Sequence, residues 1–144
     1  MIQRQCCASQ NEGPHTMVKA VDIEAALAPL QVLHGRTTHT QEGGSFATLA
    51  DYRDGGIFAG SFDGDSEWER HRNGDELVQV LDGETTMTIL TDHGSTELTL
   101  TAGMLTVVPQ GLWHRFHAAE VVTLMTVTPQ PTDHSTAEDP RDED

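Results

Sequence analysis

From residue 46 to residue 128 the chain is a succession of short strand-like segments, each followed by residues that favour turns. The segments are rich in Thr, Val and Leu and are predicted at residues 46–52, 56–63, 66–71, 76–82, 84–90, 95–101, 104–109, 112–118 and 121–128. Asp82-Gly83 between two of them is a strong hairpin signal. This regular spacing predicts an all-β sandwich or barrel.

The two ends of the chain differ from this middle part. Residues 1–17 are polar and are predicted to form a flexible N-terminus. Asp22 is predicted to cap a short helix in the sequence IEAALAPL, which Pro29 and Gly35 limit to about two turns. A single domain is predicted over 18–129, and the Pro-, Asp- and Glu-rich segment 130–144 is predicted to be an acidic disordered tail.

Charge and hydropathy restrict the partners. The net charge of the 144-residue chain is −15, so nucleic acid and anionic membrane surfaces are not expected to bind. The chain contains no run of about 18 apolar residues and no secretory signal, and a cytoplasmic protein is therefore expected. The only cysteines, Cys6 and Cys7, are adjacent and suggest no disulfide framework.

Histidines and carboxylates occur near the ends of three predicted strands. Glu69 and His71 share one face of their strand because side chains alternate, and Trp68 and Arg70 share the other. The turn that follows His71 can bring Glu76 back beside it, and His114 begins a later strand. If these strands form one barrel, His71, Glu76 and His114 can converge in its interior.

Two imidazoles and one carboxylate form a ligand set suited to Fe(II) and usable by Mn, Ni, Co or Zn. Open positions on such a metal could hold water, O₂ or an oxygen ligand. Phe116 has the same parity as His114 and is the best candidate for a pocket wall. His117 has the opposite parity and is expected at the surface. His93 is expected at a hairpin tip, and His15 and His134 in solvated ends.

The segment 103–114 reads GMLTVVPQGLWH, and in this pattern the chain resembles the cupins. Their second motif is G-x5-P-x-G-x2-H-x3-N, which Gly103, Pro109, Gly111 and His114 match, with Ala118 in place of the Asn. Their first motif is G-x5-H-x-H-x(3,4)-E-x6-G. His71, Glu76 and Gly83 match its second half, Glu69 replaces its first His, and Gly64 only approximates its first Gly.

The resemblance covers roughly residues 45–128 and implies a jelly-roll barrel (a double-stranded β-helix), a central metal and a homodimer. Glu69 leaves three alternatives open. It is a fourth metal ligand, or it faces the pocket without binding the metal, or the site is metal-free and Glu69 and Glu76 are polar pocket residues. Two buried carboxylates repel each other strongly without a cation, which favours a metal.

Two functions are compatible with these features. The first is a metal-dependent enzyme of oxygenase or isomerase type that acts on a small polar metabolite, with Fe, Mn, Ni or Zn held by His71, Glu76, His114 and Glu69. In this enzyme Glu69 acts as a catalytic general base if it is not a ligand. The second is a non-catalytic cupin that binds or senses a small ligand. The acidity of the chain and the lack of a second domain favour the enzyme.

Overall fold

The computed structural model describes residues 18–40 and 45–144, which form one short α-helix, ten β-strands and a 3₁₀ helix. The predicted flexible N-terminus at 1–17, with Cys6, Cys7 and His15, lies outside the described residues. The elements in chain order are α1 (Ile23–Leu27), β1 (Leu33–Arg36), β2 (Phe46–Tyr52), β3 (Gly55–Asp65), β4 (Trp68–His71), β5 (Glu76–Asp82), β6 (Glu84–Thr91), β7 (Gly94–Thr101), β8 (Leu105–Val108), β9 (His114–Pro129), β10 (Thr132–Ser135) and the 3₁₀ helix Pro140–Glu143.

The helix α1 begins where the sequence predicts it. The Asp22 side chain accepts a hydrogen bond from the Ala25 backbone N–H at 3.1 Å, which satisfies one of the free donors of the first turn. The helix ends at Leu27, with Ala28 as its C-cap directly before Pro29.

The long strand β9 organises the sheet. Its 16 residues replace the two strands predicted at 112–118 and 121–128, and it pairs antiparallel with β3, β4, β5 and β6. Its register against β3 shifts between Phe62 and Gly64, where Phe62 faces Val122 and Gly64 faces Ala118. A strand that bends at such an irregularity can join sheets that point in different directions. The all-β prediction is confirmed.

The apolar core lies inside the curled sheet. Its fully buried side chains come from alternate positions of the strands, as expected when one face points inward. The core consists of Phe62, Val78, Val80, Met87, Ile89, Leu100, Val108, Phe116, Ala118, Val122 and Leu124. Gly83 has φ +82° in the β5–β6 hairpin, and a Cβ there would lie 2.5 Å from the Val121 carbonyl oxygen. The tight turn expected at Asp82-Gly83 is present.

The C-terminal segment differs from its prediction. Residues 130–144 were expected to be disordered, but Thr132–Ser135 form β10, which pairs antiparallel with β4. An acidic residue can be part of this ordered segment because it has cationic partners. Asp133 accepts hydrogen bonds from both Arg70 and Arg72.

The last turn of the chain covers a small second core made of Trp68, Leu90 and Trp113. The Arg70 guanidinium lies 4.3 Å from the Trp113 ring and bonds to the Asp144 carboxylate at 2.7 Å. Pro140 of the 3₁₀ helix is fully buried. The segment is therefore packed against the barrel. Among the described residues, no helix combines the length and the apolar character needed to cross a membrane.

Candidate metal centre

The four residues singled out in the sequence lie together at one end of the barrel interior. Glu69 and His71 are on β4, Glu76 begins β5, and His114 begins β9 directly opposite Glu69. Glu69, His71 and His114 each offer a ligand atom, and these three atoms lie within 4.8 Å of one another. Glu76 adjoins them through contacts with both imidazoles.

Hydrogen bonds to a single loop hold the two motif segments in register. The Gly111 backbone N–H donates to the His71 carbonyl at 2.9 Å. The Gln110 backbone N–H donates to the Asp75 carboxylate at 2.8 Å, and its side-chain amide donates to the Arg72 carbonyl at 2.6 Å. Gly111 itself has φ +83°, a conformation that glycine adopts without strain. The loop before His114 is thus fastened to the turn after His71.

The Glu76 carboxylate is buried and fully engaged. His114 Nε2 donates to its Oε1 at 3.1 Å, and the Thr128 hydroxyl donates to its Oε2 at 2.7 Å. Thr126 supports Thr128 through a hydroxyl–hydroxyl bond of 2.8 Å. Burial opposes ionisation of Glu76, but the hydrogen bond and charge of His114, together with the nearby His71 ring, outweigh it and lower the pKa to about 2. Glu76 is a carboxylate at neutral pH.

His114 is held at both ring nitrogens. Its Nδ1 faces the Leu112 carbonyl at 3.0 Å, and its Nε2 faces Glu76. A carbonyl and an ionised carboxylate can only accept, so both nitrogens donate and the ring is an imidazolium in the absence of metal. Burial works against that charge, whereas Glu76 and Glu69 favour it, and the pKa of His114 is raised.

His71 has one nitrogen without a hydrogen bond. Its Nδ1 bonds to the Thr132 hydroxyl at 3.1 Å. Its buried Nε2 lies 3.0 Å from Glu76 Oε2, but the ring orientation does not give hydrogen-bond geometry, and no other described residue supplies a partner. A buried nitrogen that lies near a carboxylate oxygen but lacks hydrogen-bond geometry is poorly satisfied, which costs free energy. A metal ion bound by Nε2 would remove this cost, so the residues present fit a metal.

Glu69 differs from Glu76 in its environment. It is partly accessible, since it lines the cavity beside the two histidines. Burial raises its pKa, and the negative charge of Glu76 raises it further, against the opposing charges of His114 and Arg36. The two carboxylates therefore have opposite tendencies: Glu76 stays ionised, and Glu69 takes up a proton more readily.

A cavity of about 390 Å³ opens from these residues, and all four phenylalanines of the chain line it. The Phe116 ring centroid lies 6.2 Å from that of His114 and 6.1 Å from that of Phe62, which in turn is 6.4 Å from Phe46. Phe58 completes the set. Phe116 lies on the pocket wall, as its parity predicts. Trp113 lies in the second core.

Sequence reasoning missed several cavity residues. Thr126 and Thr128 are polar at alternate positions near the end of β9, on the face that carries the buried Val122 and Leu124, and this pattern could have indicated them. Arg36, buried with its guanidinium 4.8 Å from the Phe62 ring, and Thr132 and His134 of the C-terminal segment also line the cavity. They are far from the motifs in sequence, so no spacing points to them.

Among the described residues, the remaining histidines with a predicted position are exposed, as expected. His117 is exposed and pairs with Asp65 at 2.6 Å, and His93 is exposed in the β6–β7 turn. His134 is exposed as expected, but it lies on β10 opposite Glu69 instead of in a loose end, and it pairs with Glu67 at 2.8 Å.

Comparison with known proteins supports the fold. Residues 62–128 match the family model of the cupin domain. This part of the chain is a cupin domain, and the resemblance to the cupin superfamily is confirmed. A cupin-2 domain protein from Shewanella frigidimarina is 27% identical, with a TM-score of 0.50 over 60% of this chain and 80% of that one.

Two more distant structures share the fold alone. A protein from Neisseria meningitidis is 16% identical, with a TM-score of 0.55 over 81% of this cupin and 100% of that chain. A hydroquinone 1,2-dioxygenase in complex with Cd²⁺ and 4-hydroxybenzonitrile is 19% identical, with a TM-score of 0.51 over 58% of this chain and 63% of that one. No functionally curated protein matches in sequence.

Proposed function

We propose that this cupin binds a divalent transition metal, one of Fe, Mn, Ni or Zn, through His71, His114, Glu76 and Glu69. The observation that carries the proposal is the buried Nε2 of His71, which faces Glu76 without a hydrogen bond. Two imidazole nitrogens and two carboxylates are donors that suit these ions. A cation would also relieve the repulsion between Glu69 and Glu76.

We further propose that the centre serves an enzyme of oxygenase or isomerase type. The metal, when bound, would supply Lewis-acid chemistry or O₂ activation to an oxygen-bearing ligand. The sequence predicts a small polar metabolite as substrate. Because phenylalanines line the cavity, we propose that this substrate also has a flat apolar part, which would lie against Phe116 and Phe62. Those rings would exclude water and orient the ligand. If Glu69 does not bind the metal, its carboxyl, whose pKa is raised, would act as the general base and accept a proton from the bound compound.

Metal content tests the first proposal. Protein purified without an affinity tag and incubated with Fe(II), Mn, Ni or Zn is expected to retain about one equivalent of one of these by elemental analysis after desalting. The Glu69→Gln variant distinguishes the two roles of Glu69. If Glu69 is a metal ligand, the variant should bind the metal more weakly, and if Glu69 only carries a proton, the variant should keep the metal. Glu84→Gln, an exposed carboxylate on β6, is the matched control. Retention of none of the four metals would refute the metal centre.

Turnover tests the second proposal. The Fe(II)-loaded protein should consume O₂ with a small aromatic or flat oxygen-bearing substrate if it is an oxygenase, and isomerise it without O₂ uptake otherwise. If such compounds bind tightly but do not react, the proposal of an enzyme is wrong and the protein is a non-catalytic binding protein.

We also propose a homodimer formed through one face of the sheet. Side chains directly opposite one another on neighbouring strands lie on the same face of a sheet. Two rows of such side chains cross β8, β5, β9, β3 and β2 on the side of the sheet away from the cavity. These rows, here called the outer face, are Val107, Leu77, Val127, Ile57 and Ala50, and Leu105, Gln79, Met125, Ala59 and Ala47.

The outer face carries no charged side chain, although the chain as a whole has a net charge of −15. Leu105 and Val107 are 54% and 48% exposed. Ala59 within the outer face is fully buried, so its exposed apolar part includes Leu105 and Val107. An exposed apolar surface on an acidic protein favours contact with a second copy, because self-association through any charged face would meet strong repulsion.

Light scattering after gel filtration tests the dimer. The wild-type protein is expected to be dimeric at micromolar concentration, and Val107→Glu is expected to be monomeric. Val121→Glu, at a position 38% exposed but outside the outer face, should leave the dimer intact. A wild-type monomer at all concentrations would refute the interface.

The acidity of the chain also supports our proposal that neither nucleic acid nor an anionic membrane is a partner. Retention on DNA or on anionic vesicles at physiological salt would contradict it.

A further inference from the structure

The two histidines of the candidate metal centre are held from outside by different parts of the chain. His114 Nδ1 donates to the backbone carbonyl of Leu112, two residues away. His71 Nδ1 instead meets a side chain, the hydroxyl of Thr132, which lies 61 residues further along the chain. The group that faces His71 therefore belongs to β10, outside the segment that matches the cupin domain.

Thr132 is placed against His71 by strand pairing and by ion pairs. In the β10–β4 ladder Thr132 is directly opposite His71, and Asp133 is directly opposite Arg70. Asp133 bonds to Arg70 and Arg72, which flank His71 in sequence. These contacts fix the Thr132 hydroxyl within hydrogen-bond distance of the His71 imidazole.

The hydrogen-bond directions at Thr132 suit a metal-binding tautomer of His71. The Thr132 hydroxyl can donate its own proton to the Gln130 side-chain oxygen at 3.5 Å, which leaves the Thr132 oxygen free to accept from Nδ1–H of His71. With the proton on Nδ1, the lone pair of His71 is on Nε2, which faces Glu76 and the cavity.

We propose that Thr132 is a positioning residue for the metal centre: it keeps the His71 proton on Nδ1 and aims Nε2 at the metal. The inference rests on the proposed metal centre. Because Thr132 belongs to the C-terminal segment, the site is complete only when β10 is paired with β4. Removal of a residue that hydrogen-bonds to a metal-binding histidine typically weakens metal affinity about 10- to 100-fold.

The test compares three variants of the full-length protein by their affinity for Zn²⁺ or Mn²⁺, measured in competition with a chromophoric chelator. Thr132→Val removes the hydroxyl and keeps the shape and the strand preference, and its Kd should rise about 10- to 100-fold. Thr132→Ser restores the hydroxyl and should return to within about threefold of wild type.

Thr123→Val is the matched control. It also removes one threonine hydroxyl bond, that to Ser61 at 2.7 Å, but on the side of β9 away from the cavity. Its metal affinity should be unchanged. Unfolding of the metal-free proteins reports any general loss of structure separately.

The outcomes separate this inference from the proposal on which it rests. If the wild-type protein binds metal and Thr132→Val binds it equally well, the positioning role is wrong and the metal centre stands. If Thr132→Ser is as weak as Thr132→Val, the hydroxyl is not the active group and the inference is also wrong. A wild-type protein that binds neither metal would overturn both.

Discussion

The barrel and the C-terminal segment support the two histidines of the site in contrasting ways. His114 is fixed by groups within the barrel, the Leu112 carbonyl and the Glu76 carboxylate. His71 depends on Thr132 of β10, which two arginine–aspartate contacts hold in place. The comparison teaches that one histidine of the candidate centre is held by the barrel itself, whereas the other contacts a segment that can be weakened separately.

The largest effect is expected at Glu76, on the barrel side. Glu76→Ala removes the carboxylate beside the buried His114 imidazolium and leaves that charge without its partner. Loss of one member of a buried ion pair costs about 3–5 kcal/mol. Urea unfolding of the metal-free protein should show this loss. A loss below about 1.5 kcal/mol would mean that the barrel side is not held by this pair.

A smaller effect is expected at Arg70, on the side of the C-terminal segment. Its side chain is 11% exposed and contacts Asp133, Asp144 and the Trp113 ring. Arg70→Ala should destabilise the protein by about 1–3 kcal/mol, through lost packing on Trp113 and lost charge-assisted hydrogen bonds.

Arg72→Ala is the matched control for Arg70→Ala. Arg72 also contacts Asp133, but its side chain is 63% exposed, so its removal should cost less than about 1 kcal/mol. Urea unfolding followed by tryptophan emission measures both, because the only two tryptophans, Trp68 and Trp113, lie under the segment. Equal losses would contradict the assigned difference between the two arginines.

The smallest effect is expected from pH. The hydrogen bond from Arg72 lowers the pKa of Asp133 below its ordinary value of 3.8, and that from Arg70 does the same for Asp144. A lowered folded-state pKa means that the unfolded segment binds protons first as pH falls. The attachment is therefore fully present above pH 3.8 and is lost as pH falls through the lower, folded-state values.

Tryptophan emission followed during acid titration should report this release. In Asp133→Asn the pH-dependent change should be smaller, because one of the two titrating contacts is gone. Titration curves that coincide for wild type and Asp133→Asn would show that the attachment does not depend on the Asp133 charge.

Most of the barrel could be predicted because its signals are local. Alternation and turn residues marked the strands, Asp22 marked the start of α1, and Gly83 marked the hairpin between β5 and β6. The faces of β4 were also predictable: Glu69 and His71 point into the cavity, and Trp68 and Arg70 into the second core. The break expected within β9 was wrong, because a strand can bend at a register shift without ending.

The C-terminal segment was predicted wrongly because its composition resembles that of disordered chains. Acidic residues without an apolar period cannot form a core by themselves. They are ordered here because Arg70 and Arg72 neutralise Asp133, and because Asp144 bonds to Arg70 and to the Trp113 indole N–H. These partners lie about 60 residues away, and local sequence contains no information about them.

The sequence by itself determined the all-β fold, the convergence of Glu69, His71, Glu76 and His114, and the place of Phe116 on the pocket wall. These follow from alternation, turn chemistry and motif spacing, which act over a few residues. Only the tertiary structure decided that four phenylalanines and Arg36 line one cavity and that β10 brings Thr132 to His71. Such contacts depend on which strands pair, and strand pairing is decided by the burial and charge of the whole chain.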